Sequence, residues 1–112
     1  MIDAEPPYYA VIFTSDRTDA DGEGYGAAAN LMAELAAAQP GNLGMDSARE
    51  EIGITISYWR DLDAIAAWKR NADHVLAQRS GREIWYASYS LHVARVERAY
   101  HFEKRSGEAA NP

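Results

Sequence analysis

The chain has 112 residues, is 47% hydrophobic and 11% aromatic, carries a formal net charge of −6 and has no cysteine. That length makes one domain with one modest core, and the composition is that of a globular chain rather than a disordered one. The negative charge argues against a nucleic-acid partner, which needs a basic footprint, and the missing cysteines exclude disulfides, a thiolate nucleophile and cysteine-built metal sites.

The opening residues, MIDAEPPYY, lack the basic and apolar regions of a signal peptide. No apolar run reaches the length of a membrane span. A soluble, cytoplasmic protein is expected, without membrane contact. Residues 1–7 read as a flexible arm, 8–102 as the domain and 103–112 as a frayed tail.

Tyr8 to Thr14, YYAVIFT, is β-branched, aromatic and apolar on both faces, which predicts a strand buried on both sides. Ser15 to Glu23 reads as a loop. Tyr25 to Ala38 repeats apolar residues at helical spacing and stops at Gln39-Pro40-Gly41. Leu43 to Arg49 is a second strand of moderate β character. Gly53, with a positive φ, is expected to turn it into a third, Ile54 to Trp59. Asp61 is the expected N-cap of a second helix that bends near Asn71 and runs to Arg79, with Gly81 as its C′ residue. Residues 82–87 form an aromatic connector, and Ser88 to Phe102 a long last strand. The order β-α-β-β-α-β is the ferredoxin-like pattern of an α+β domain, a four-stranded antiparallel sheet with both helices on one face. The uncovered sheet face then calls for a second copy of the chain, so a homodimer is expected.

The second helix carries the candidate site. Trp68, Asn71, His74 or Val75, and Gln78 fall at three- to four-residue spacing on one stripe. An imidazole titrates near neutrality and serves as a base, so His74 is the candidate catalytic residue. Asn71, Tyr58 or Arg49 can hold an anion, and Trp59, Trp68 and Trp85 can wall an aromatic ring. Gln78 completes the substrate-binding set. The competing reading makes His74 a surface histidine and puts Trp59 and Trp68 in the core. Three separated histidines show no metal-ligand spacing.

The segments YYAVIFTSDRT, GYGAAANLMAELAAAQPG, SAREEIGITISYW, AWKRNADHVLAQRSGR and VERAYHF resemble the antibiotic biosynthesis monooxygenase superfamily, over Tyr8 to Phe102. The resemblance implies a dimeric α+β barrel of two ferredoxin-like subunits. It also implies a choice among cofactor-independent oxygenases of phenolic compounds, haem-degrading enzymes and members without known activity. The haem-degrading branch uses an Asn on the first strand, a Trp on the second helix and a His further along that helix. Trp68 matches the Trp, but the ligand position is Gln78 and YYAVIFT holds no Asn. The expectation is therefore a monooxygenase that uses no cofactor and acts on a small phenolic or planar aromatic compound. The alternative is a non-catalytic dimer that binds a small ligand or serves in stress or regulation.

Overall fold

The structure, a computed structural model, describes residues 1–104; the expected frayed tail falls almost wholly outside them. In chain order the elements are β1 (Tyr8–Arg17), α1 (Gly22–Ala38), β2 (Asn42–Arg49), β3 (Gly53–Trp59), α2 (Leu62–Gln78), α3 (Gly81–Trp85) and β4 (Tyr86–Val96). The sheet order is β2-β3-β1-β4 with every neighbouring pair antiparallel. This is the expected ferredoxin-like α+β fold.

Strand alternation divides the sheet into two faces. Tyr9, Val11, Phe13 and Ser15 of β1 face the helices with Thr55, Ser57 and Trp59 of β3. Two apolar clusters form on this face. One joins Val11, Ala36, Trp59, Ala64 and Ile65; the other joins Ala28, Val75, Leu76, Trp85 and Tyr86. The opposite face carries Ile12, Ile54, Ile56, Tyr58 and His92, with Ile56 and His92 both in register with Ile12.

Helix starts follow their caps. Asp61 accepts from the Ala64 amide at 2.8 Å and begins α2 as expected. Asp21 accepts from the Gly24 amide at 3.1 Å, so α1 starts three residues earlier than its apolar spacing suggested. The second carboxylate oxygen of Asp21 also accepts from the Trp85 indole at 3.1 Å and ties α3 to the start of α1.

Four local expectations are corrected. First, β1 does not stop at Thr14. Ser15 to Arg17 continue it because β4 pairs with them as far as Tyr86. Second, β4 ends at Val96, not Phe102, because its partner β1 begins at Tyr8, which pairs with Val96. Third, the connector after α2 contains α3. Ser80 takes the left-handed conformation there with φ 51°, and Gly81 does not end α2. A side chain on Gly81 would collide with Trp85 and Leu76, so its role is close packing. Fourth, Gly53 has no positive φ. A side chain there would run into the Arg49 guanidinium.

Candidate functional site

A cavity of about 500 Å³ lies between the helix-covered sheet face and the two long helices. That size suits a small organic ligand. It exists because the residues between the two apolar clusters are small: Ser47, Thr55 and Ser57 on the floor, and Ala29, Ala33 and Ala72 on the roof. Larger side chains there would fill it.

The cavity is polarised along its length. Its apolar end is bounded by Val11, Met45 and Trp68. Trp68 packs on the buried Trp59, ring centroids 5.6 Å apart. The other end is built on one cross-strand row, Arg49–Gly53–Ser15–Tyr89, which crosses all four strands. In this row the Arg49 guanidinium donates to the buried Ser15 hydroxyl and occupies the space that Gly53 leaves open. No carboxylate lies within ion-pair distance of Arg49 among the described residues. Tyr25 and Tyr86 close this end, with their rings edge to face at 6.0 Å. Arg17 stacks on the Tyr25 ring at 3.6 Å.

The electrostatics make this end a donor site. Burial, followed by the neighbouring Tyr25, pushes the Tyr86 phenol far above its ordinary range, against an opposing pull from Arg49 and Arg17. Tyr86 is therefore neutral throughout the physiological range, and a hydrogen bond with Tyr25 is among the causes. The Trp68 indole N–H is buried without an acceptor among the described residues. A buried donor left unpaired costs on the order of 1–3 kcal/mol, and an acceptor on a bound ligand would recover it.

Of the residues expected at a site, the cavity brings together Arg49 and Trp68. Tyr58, Trp59, Asn71, His74 and Gln78 do not line it. Tyr58 falls on the opposite sheet face by alternation, where its hydroxyl donates to Asp46 at 3.3 Å. Its phenol is raised by burial and by the Asp46 charge. Trp59 is fully buried, and its indole N–H donates to Ser57 at 2.8 Å. On α2, the buried stripe of Ala64, Ile65, Ala72, Val75 and Leu76 faces the core. Lys69 and Asp73 flank it on the cavity side, whereas Asn71, His74 and Gln78 lie on the other flank and are exposed. Trp85 is core.

Sequence reasoning missed Tyr25, Tyr86 and the space at Gly53. The available signal was the register. Once β1 extends to Arg17, Ser15 and Gly53 become partners and draw Arg49 and Tyr89 into one row.

Comparison with known proteins agrees with this architecture. An uncharacterized Bacillus subtilis protein, YqjZ, is 47% identical over 106 residues, covering 93% of this chain and 92% of its own. Among solved structures, SnoaB, a cofactor-independent oxygenase from Streptomyces nogalater, superposes with a TM-score of 0.66 at 13% identity, over 84% of this chain and 97% of its own. The Pseudomonas aeruginosa protein PA3566 gives 0.64 at 18% identity, over 88% and 100%. The model of the antibiotic biosynthesis monooxygenase family matches residues 8–80, from β1 through α2, and with that match and the close relative the chain belongs to this family.

Proposed function

We propose that the protein is a cofactor-independent monooxygenase that oxidises a small phenolic or planar aromatic compound in this cavity. The observation that carries the reading is an aromatic-walled cavity lined by the Arg49 guanidinium, which has no carboxylate partner among the described residues, and by the buried, unpaired Trp68 indole N–H. Such a site favours a ligand oxygen that bears negative charge. Arg49 stabilises the phenolate by Coulomb attraction and lowers the phenol's pKa, so the proton leaves to solvent without a dedicated base. The electron-rich anion passes one electron to O2. The aryloxyl radical and superoxide recombine with a C–O bond at the open ring carbon para to the oxygen. Cleavage of the O–O bond with loss of that carbon's hydrogen releases water and leaves the quinone. One phenol and one O2 thus give one quinone and one water.

The predicted test uses 1-naphthol as the probe. Oxygen uptake should match the formation of 1,4-naphthoquinone one to one and should be lost in Arg49→Gln. Binding without oxygen uptake, for this and other phenols, would favour the ligand-binding alternative.

The same reading includes a homodimer. The apolar open sheet face, with Ile54 45% exposed, and the exposed Tyr100 and Phe102 beyond β4 support it. These two aromatics have no place in the subunit's own sheet, and a twofold partner is the natural body to cover them.

A further inference from the structure

The cavity has a charge balance opposite to that of the whole chain. The protein holds 17 acidic residues against 11 lysines and arginines. Yet the residues lining the cavity include three cations, Arg49, Lys69 and Arg82, and one carboxylate, Asp73. The three are not equivalent. Arg49 stands at the β2 side of the cross-strand row and is assigned above to the phenolate. Arg82 approaches the β4 side of the same row, because its Nε donates to the Tyr89 hydroxyl at 2.6 Å and Tyr89 is the last residue of the row. Its Nη2 donates to Asp73 at 3.2 Å, and Asp73 also accepts from Lys69 at 2.8 Å. Asp73 therefore serves two cations; Glu83 also acts on Arg82, but from outside the cavity lining, where cations outnumber the one carboxylate.

A guanidinium has five N–H donors. Two groups on Arg82 are engaged, and its remaining N–H groups have no partner among the described residues. Tyr89 and Asp73 fix the plane of the fork, so the free edge is held in place for an anion. Planar carboxylates are the anions that such an edge matches.

We infer that the substrate is an aromatic acid, a ring system with a phenolic oxygen for Arg49 and a carboxylate for Arg82 at its other side. This rests on the proposed reading of the cavity as a phenol site and narrows its substrate class. The carboxylate docks on the free edge of Arg82 with Lys69 as the second cation. Asp73 orients the pair and weakens it by repulsion, so Asp73 acts as a positioning residue and tunes selectivity.

Isothermal titration of the full chain with two probes tests this. One is 6-hydroxy-2-naphthoate, with hydroxyl and carboxylate at opposite ends of two fused rings; the other is 2-naphthol, which lacks the acid. The naphthoate should bind about two- to fivefold tighter, the range that one partly exposed charge pair supplies. The advantage should shrink as salt rises. Arg82→Gln should remove the advantage and leave 2-naphthol binding unchanged, and Arg82→Lys should restore part of it. Asp73→Asn should move the other way and tighten the naphthoate alone, which loss of a merely structural ion pair would not do. Equal affinity of the two probes, or an advantage that survives Arg82→Gln and ignores Asp73→Asn, would overturn the inference while leaving the phenol site standing. Failure of both probes to bind would overturn the phenol site itself, and the inference with it.

Discussion

Arg49 owes its position to a side chain that is not there. Gly53 faces it across the β2–β3 pair, and only the missing side chain leaves room for the guanidinium beside Ser15. Gly53→Ala should therefore cost little stability, because the displaced group is the flexible end of an arginine. It should weaken phenol binding nearly as much as Arg49→Gln. Arg49→Gln should lower turnover by roughly 10²- to 10³-fold, the usual loss for one donor to a developing oxyanion, with the melting curve little changed. His74→Ala is the contrast, since His74 is exposed and lies off the cavity; activity should stay near wild type. A loss of about 10²-fold would return the base role to His74. Trp68 does two jobs, packing on Trp59 and walling the cavity. Trp68→Ala should cost about 3 kcal/mol in denaturant unfolding and also weaken ligand binding. Loss of binding with full stability would take Trp68 out of the core.

At the scale of elements, α2 and β4 decide what lines the cavity. The helix was legible, with its Asp61 cap and apolar repeat, but the choice of flank was not. Trp68, Asn71, His74 and Gln78 do share a helix edge. Which edge meets the cavity depends on how α2 rolls on the sheet, and that is set by Ala72, Val75 and Leu76 finding the second cluster. In β4, a strand start two residues earlier than the apolar pattern suggested puts Tyr86 under α1, beside Tyr25. Its consequence is measurable. The folded-state pKa of Tyr86 is raised, so the stability linked to its neutral form is fully present below the unfolded value of about 10 and is lost as pH rises above it toward the folded value. Melting temperature should fall steeply above about pH 10, and Tyr86→Phe should flatten that fall. Equal alkaline slopes in the two proteins would contradict a buried neutral phenol.

For the whole molecule, the order of the four strands and two long helices, the antiparallel sheet and the covered face were readable from periodicity and punctuation, because short connections leave few ways to arrange β-α-β-β-α-β; the short α3 was not. The cavity was not readable, since it arises where small residues from three strands and two helices meet. The open face predicts a dimer in solution, with an interface of roughly 2,000 Å² or more. Replacing Tyr100 and Phe102 by Asp should shift it toward monomer in light scattering, and a wild type that is monomeric at micromolar concentration would reject the dimer.

If this cavity holds an aromatic oxyanion, the absorption spectrum of bound 1-naphthol under anaerobic conditions will show it. Titrated with pH, the bound probe should convert to naphtholate about one unit or more below its free pKa, a bias of about 1.4 kcal/mol per unit. Arg49→Gln should return the transition to the free value. A bound probe that stays neutral up to its free pKa in the wild type would contradict the account.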